Sequence, residues 1–129
     1  MASPAPASGP TNIGVAPNVG GLLCYIPCCI GFLFSIMVAI VEKQSRFVRF
    51  HAFQSLLVHG AAFVVAIGLY VVQILLAVVH LGALGLLISL FHLLLAVGLL
   101  GVSIFLMVKA NGGEQFSLPM IGEMASKWA

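Results

Sequence analysis

The chain has 129 residues, of which 62% are hydrophobic and only 6% are charged, and its mean hydropathy is +1.23. Charge is carried by about a quarter of the residues in soluble domains, so this composition excludes an ordinary soluble protein and predicts one of the lipid bilayer. The net charge of +2 is small and no basic tract is present, so the sequence predicts no nucleic-acid partner.

The amino-terminal segment, residues 1–17, is rich in Ala, Pro, Ser and Gly and has no charged side chain. It shows no periodic apolar pattern, which is typical of a disordered segment. We expect the rest of the chain, residues 18–129, to form a single helical transmembrane domain. The predicted fold is therefore all-α, an integral membrane protein with three transmembrane helices.

The first predicted transmembrane helix covers residues 20–41, an uncharged run with the roughly 20 residues that a helix needs to cross a bilayer. Pro27 lies inside this run and removes one backbone donor, so we expect a kink near Cys28, Cys29 and Gly31.

Three cysteines, Cys24, Cys28 and Cys29, lie in the same run. Their spacing matches no zinc site and no histidine lies nearby, so we expect them to pack as small apolar side chains. The sequence predicts no metal site and no cofactor.

A basic and aromatic segment follows the first predicted helix and leads into the second. In a helix, its arginines fall within or beside the arc that carries its phenylalanines, which favours a segment at headgroup level with arginines turned outward and phenylalanines in lipid. The segment has two interpretations, an ordinary positive anchor or a cytoplasmic interaction motif. The motif would comprise Arg46, Phe47, Arg49, Phe50, His51, Phe53 and Gln54.

Two more uncharged runs predict transmembrane helices over residues 55–79 and 85–108, with a turn near Gly82 between them. With three spans, all five Lys and Arg residues fall on one side of the membrane, whereas we expect a two-span or four-span arrangement to divide them. The positive-inside rule then places the amino end outside and the carboxyl end in the cytoplasm, in a multi-pass protein of the cell membrane.

Polar residues inside the predicted spans indicate contacts between helices, because an unpaired polar group in lipid is costly. Folding back near Gly82 brings His59 to the depth of Ser103 and Gln73 to the depth of His92. We therefore predict two interhelical pairs, His59 with Ser103 and Gln73 with His92. A polar path for protons or ions is the alternative interpretation of the same four residues.

The carboxy-terminal segment, residues 109–129, is too polar and too short to cross a bilayer. Met120, Met124 and Trp128 recur at helical spacing, which predicts a short amphipathic tail at the interface. Glu114 and Glu123 are candidate partners for Arg46 and Arg49, since all four lie on the same predicted side.

The run from Glu42 to Leu56 and the segment from Phe116 to Glu123 resemble the bacterial membrane proteins grouped as domain of unknown function 4870. That group is similar to the Tic-twenty component of the chloroplast protein-import machinery. The resemblance covers Asn18 to Lys127 and implies a bacterial inner-membrane protein without an established activity, distantly related to protein translocation.

Three acidic residues spread along the chain offer no paired carboxylates and no nucleophile with a base, so the sequence predicts no enzyme. We expect a non-enzymatic membrane protein that acts as an accessory or interaction protein. Its expected partners are the lipid bilayer and either another membrane protein or a second copy of itself. The alternative is an oligomeric small channel or transporter with a polar path along His59, Gln73, His92 and Ser103.

Overall fold

The computed structural model describes residues 5–27 and 29–129, which form five α-helices and no strand. This confirms the all-helical prediction. The helices are α1 (Pro17–Leu23), α2 (Cys29–Val41), α3 (Arg46–Val78), α4 (Gly82–Asn111) and α5 (Ile121–Trp128).

Two of these helices dominate the structure. Among the described residues, α3 and α4 alone are long and apolar enough to cross a bilayer, and at 1.5 Å per residue they extend about 50 Å and about 45 Å. They form an antiparallel hairpin through a short turn at which His80 takes a left-handed φ of 59°. The predicted turn near Gly82 is thus displaced by about two residues.

The outer half of the α3–α4 hairpin is held by a thin seam. Its half-buried positions are spaced alternately three and four residues apart, as in a coiled coil, while the positions between them are exposed. An open apolar groove of about 400 Å³, lined in part by Ala61, Ala62 and Gly98, runs between the two helices nearer the base. The seam consists of Ala62, Ala66, Leu69, Gln73 and Leu76 on α3 and Gly85, Ile88, His92, Leu95 and Leu99 on α4.

The first apolar run does not form a kinked spanning helix. It is divided between α1, with 7 residues, and α2, with 13, which is about 20 Å at most against the roughly 30 Å of a bilayer core. Gly21 of α1 lies against His51, Phe32 of α2 lies beside His59, and the end of α2 returns to the start of α3. The run therefore enters and leaves at the same end of the hairpin, and the described residues contain two helices of spanning length, where the sequence predicts three.

The turn between α1 and α2 explains this reversal. The hydroxyl of Ser55 donates to the free carbonyl of Cys24 at 2.6 Å, and the hydroxyl of Ser35 lies 3.1 Å from the same oxygen. A side chain on Gly31 would collide with the backbone of Ile26, so only glycine lets α2 fold back this closely. The predicted kink becomes a complete break because neighbouring side chains satisfy the backbone that the break exposes.

Residues 5–16 contain no helix or strand, yet they are tied to the rest of the chain. The amide of Ala5 donates to the side chain of Gln115, and Asn12 bonds with residues at the α2–α3 junction. This part of the predicted disordered segment is therefore packed, and residues 1–4 lie outside the described residues. It lies at the same end of the hairpin as the tail, whereas the sequence predicts opposite sides for the two.

We call the structure at this end of the hairpin the base. It comprises residues 5–27 and 29–45, which include α1 and α2, together with the first turns of α3, the last turn of α4 and the tail 112–129. All five cationic and three acidic residues lie here. The expectation that two spans would divide the cations assumed that the first apolar run is one of the spans, whereas in the structure this run turns back and both long helices follow it.

Candidate functional site

A buried polar cluster occupies the centre of the base. The Nε2 of Gln54 donates to the hydroxyl oxygen of Tyr25 at 3.0 Å, and the same hydroxyl lies 3.0 Å from the Nδ1 of His51. All three side chains are fully buried. The cluster joins α1 to α3, because Tyr25 lies two residues after α1 and the other two residues lie in the second and third turns of α3.

Aromatic rings surround the imidazole of His51. Phe47, Phe50 and Tyr25 meet it edge to face, with ring centroids 4.5, 5.3 and 5.5 Å away. Its Nε2 has no hydrogen-bond partner among the described residues. An unsatisfied buried polar group costs roughly 1–3 kcal/mol, so the surrounding contacts must offset this penalty.

The predicted interaction motif is mostly the interior of the base. Phe47, Phe50, His51 and Gln54 are buried, so they cannot form the exposed face that the sequence predicts. The physical reason is that α1 and the tail pack over this part of α3. Arg46 is exposed, whereas Arg49 and Phe53 lie half-buried beneath the tail.

The tail is held at its far end by Arg49. The guanidinium donates to the backbone oxygens of Glu42 at 2.7 Å, Trp128 at 3.0 Å and Ala129 at 3.4 Å. It also lies over the ring of Phe53, which meets the Trp128 ring edge to face. Arg49 thus links three elements of the base.

In the structure, Glu114 and Glu123 pair with lysines and not with the arginines predicted as their partners. Glu114 pairs with Lys109 at 2.8 Å and Glu123 pairs with Lys127 at 3.4 Å. The prediction that Glu114 or Glu123 pairs with Arg46 or Arg49 is therefore wrong in its partners. The tail still docks on α3, but through backbone oxygens.

Gln54 holds the other end of the tail. Its Nε2 donates to the carbonyl of Phe116 at 3.0 Å, and its Oε1 accepts from the amide of Leu118 at 2.9 Å. Gly122 lies so close to Gln54 and Ser117 that a larger residue would collide with both. Met120 precedes α5 with a left-handed φ of 63°, which turns the chain from its extended stretch into the helix.

Glu42 closes the opposite side of the base. Its carboxylate is fully buried and accepts hydrogen bonds from the amides of Asn12, Ile13, Gln44 and Ser45 at 2.8, 3.4, 2.9 and 2.9 Å. Burial alone would raise the pKa of this carboxyl, but the four amides together hold the pKa below its ordinary value. The carboxylate therefore fastens the amino-terminal segment to the α2–α3 junction.

The predicted interhelical pairs are not formed. Gln73 donates to the hydroxyl of Ser89 at 3.0 Å, and the Nε2 of His92 lies 3.3 Å from the carbonyl of Ala66. His59 turns to the carbonyl of Ser55 in its own helix at 2.8 Å, and Ser103 is buried. Gln73 meets α4 three residues before His92, and the rotation of each helix about its axis selects partners other than those predicted.

Sequence reasoning missed two members of the base. Tyr25 was read as part of a lipid-facing span, and Glu42 only as the charge that ends that span. A signal close to Glu42 is Ser45, a residue type that commonly caps the start of a helix and that here caps α3. No comparable signal exists for Tyr25, because its role depends on α1 folding against α3.

The described residues contain no group of three or more His, Cys, Asp and Glu side chains that could hold a metal ion. The cluster of Tyr25, His51 and Gln54 also contains no nucleophile beside an ionised base. Its hydrogen bonds join elements of the base to one another, which is an arrangement suited to positioning the tail.

Comparison with known proteins places the chain in a family. Residues 11–125 match the protein family described as "Magnetosome magnetite crystal formation protein family". A UPF0132 membrane protein of Methanocaldococcus jannaschii is 37% identical over 94% of this chain and 96% of its own length. A UPF0132 membrane protein of Archaeoglobus fulgidus is 32% identical over 85% of this chain and 92% of its own length. No solved structure gives a significant match.

These findings correct the resemblance drawn from the sequence. The matching family is not domain of unknown function 4870, and these relatives are archaeal proteins. The Tic-twenty likeness and the bacterial inner membrane that it implied are not supported. The chain belongs to the magnetosome magnetite crystal formation protein family and is similar along nearly its whole length to archaeal UPF0132 membrane proteins.

Proposed function

We propose that this protein is a non-enzymatic integral membrane protein that holds a rigid, charged base at one bilayer surface and binds another membrane protein or a second copy there. One observation carries the proposal: every charged residue lies at the base of an otherwise uncharged helical hairpin. Such segregation anchors the polar end at the interface, because charges are costly in the bilayer interior.

In this proposal α3 and α4 cross the bilayer and the two short helices α1 and α2 dip into it from the base. The outward faces of the hairpin and of α2 support this placement, since large apolar side chains are exposed along both. Lys and Arg residues favour the cytoplasmic side of a cell membrane. The proposed topology therefore has two spans, with both ends of the chain in the cytoplasm.

The exposed cationic corner of the base, Lys43, Gln44 and Arg46, is the proposed contact surface. Within residues 5–27 and 29–129, these three side chains make no hydrogen bond, although their neighbours in the base do. Gln44 and Arg46 also line a surface cavity of about 390 Å³ beside residues 5–10. Hydrogen-bond donors that are not used within the described residues and that surround a concave surface suit a partner surface rich in carboxylates or carbonyls.

The family description concerns magnetite, but the acidic residues of this chain offer little support for direct contact with an iron mineral. Protein sites for iron commonly use carboxylate and imidazole ligands. Glu42 is buried, and Glu114 and Glu123 are paired with lysines. We therefore infer a role in organising membrane components in preference to one in binding the mineral.

The test compares two variants with the same change in charge. The pair Lys43→Gln with Arg46→Gln removes the contact surface, whereas Lys109→Gln with Lys127→Gln removes two cations elsewhere on the base. Each is purified in lipid nanodiscs, and co-purifying membrane protein or second tagged copy is quantified by mass spectrometry. We expect a several-fold loss in the first variant alone. Equal recovery from both, or no partner and no self-association in the wild type, would contradict the proposal.

A further inference from the structure

We propose that the tail groove is a peptide-docking site and that, when two copies pair, the tail of one copy occupies the groove of the other. The tail groove is the channel on the base that is lined by Tyr25, Gln54, Phe105 and Leu106. This inference rests on the proposed function, for which it names a partner, the second copy, and a means of contact.

Gln54 gives the groove its ability to bind extended chain. Its amide donates to the carbonyl of Phe116 and accepts from the amide of Leu118, two residues further along. In a parallel β-sheet, the backbone of one residue likewise forms hydrogen bonds with two residues of the adjacent strand, those on either side of the position opposite it. The side chain of Gln54 therefore recognises backbone and imposes no requirement on the residue between, Ser117.

Two side chains of the tail supply the specificity. The ring of Phe116 meets that of Phe105 edge to face, with centroids 5.0 Å apart. Leu118 packs on the buried cluster formed by Tyr25, Leu106 and Ala110. Backbone pairing with contacts for alternate side chains is how sheet edges capture extended peptides.

The tail is held by directed hydrogen bonds and by partial apolar burial. Met120 is 81% exposed, and Met124 and Trp128 are about half exposed at 42% and 49%, so docking leaves much of the apolar surface of the tail uncovered. Few buried apolar contacts are the mark of a segment with low local stability. The segment can consequently leave the groove without unfolding the hairpin.

The connection between α4 and the tail is suited to exchange. It contains Gly112 and Gly113, and Gly113 has a left-handed φ of 78°. The salt bridge from Lys109 to Glu114 crosses this connection on the exposed surface, where such pairs contribute about 0–1 kcal/mol. We call residues 112–113 the hinge.

A second copy is the occupant that the structure favours. Two copies in one membrane have their bases at the same depth and on the same side, so a tail that swings outward meets an identical groove. Exchange restores every contact that the tail makes within its own copy, and this is why domain swapping is a low-cost route to a dimer. A foreign peptide would need the same Phe and Leu spacing.

Hinge length provides the first test, using the full chain in nanodiscs and native mass spectrometry. Deleting Gly112 and Gly113 prevents the tail from returning to its own groove, so we expect the dimer fraction to rise several-fold. Inserting four Gly and Ser residues at the hinge favours return, and we expect the dimer fraction to fall below that of the wild type. A dimer fraction that does not change with the insertion would overturn the inference, even if the deletion variant failed to fold.

Photo-cross-linking provides the second test. One copy carries p-benzoylphenylalanine in place of Phe116, and a second copy, enlarged by a tag, has the natural sequence. We expect a cross-linked product of the combined mass, mapped to α4 of the tagged copy and lost with Gln54→Ala in that copy but not with the control Gln73→Ala, which lies in the hairpin away from the base. Cross-links only within one copy would overturn the exchange, whereas the recovery experiment with Lys43 and Arg46 tests the proposed function separately.

Discussion

Three buried residues in the base each meet a specific structural requirement. Being apolar or polar is not sufficient at these positions. Gly31 must have no side chain, Glu42 must be ionised, and Gln54 must offer a donor and an acceptor at once. Each requirement arises from backbone groups that come from another part of the chain. Substitution of each residue therefore has its own expected effect.

Gly31→Ala is expected to destabilise the protein, because the added methyl group would meet the backbone of Ile26, which cannot move aside as a flexible side chain would. Overpacking of this kind costs about 1–3 kcal/mol. The matched control is Gly60→Ala, since a methyl group there meets nothing within 4 Å. Thermal unfolding in detergent, followed by circular dichroism, measures both. Equal midpoints for the two variants would show that α2 does not return against the Cys24–Ile26 turn.

Glu42→Gln is expected to destabilise the base by about 1.5–3 kcal/mol, the usual range for hydrogen bonds to a charged group. Because the pKa of Glu42 is lowered in the folded state, its contribution is fully present above the ordinary glutamate pKa and is lost as the pH falls through the lower folded pKa. The difference in unfolding midpoint between wild type and variant should therefore shrink with acidification below about pH 4.5.

The control for this pH series is Glu123→Gln, which removes an exposed carboxylate paired only with Lys127. Its unfolding midpoint should stay close to that of the wild type across the same pH range, because exposed ion pairs contribute little. A Glu42 effect that did not diminish in acid would show that packing, and not charge, accounts for it.

Among the elements, the tail depends on one side chain at each end. Gln54→Leu is expected to release the extended stretch around Phe116, because it removes the donor and the acceptor that hold the backbone there. Limited proteolysis of the protein in nanodiscs measures the release, and we expect cleavage between residues 113 and 121 to accelerate several-fold. Gln44→Ala on the same base is the control and should leave the rate unchanged.

The α1–α2 pair shows why an element of the right composition is not a spanning helix. Length and hydropathy over residues 20–41 suit a span, yet Pro27 and Gly31 allow the run to reverse. Reversal is stable because Ser55 and Ser35, at other positions along the chain, lie beside the carbonyl of Cys24. The composition of the run is common to both outcomes, and contacts made on folding, including that of Ser55 outside the run, decide between them.

For the whole molecule, the main prediction concerns topology. Reporters fused to the amino end and to the carboxyl end should fall in the same compartment, and a reporter inserted at residues 80–82 should fall in the opposite one. The physical reason is that residues 5–16 and the tail bond to each other at the base while the α3–α4 turn lies about 45–50 Å away. Amino and carboxyl reporters in different compartments would instead support three spans.

Sequence reasoning identified the class of protein, the helical content and the tail's position beside α3. Counting along the helices predicts Gln73 at the level of His92, whereas Gln73 meets Ser89, three residues earlier in α4. Which residues pair depends on how each helix is rotated about its axis. Packing between the two helices sets that rotation, as in the contact of His92 with the carbonyl of Ala66. Counting residues along the chain contains no information on that rotation.

The amino-acid sequence by itself determined that this chain belongs in lipid, because hydropathy is a local property that depends little on the neighbours of each residue. Only the tertiary structure decided that the first apolar run turns back, that the Arg-Phe-His segment is interior and that Arg49 holds backbone oxygens of the tail. Each of these outcomes depends on backbone groups that one segment leaves unsatisfied and a distant segment satisfies. Such pairings exist only once the chain has folded.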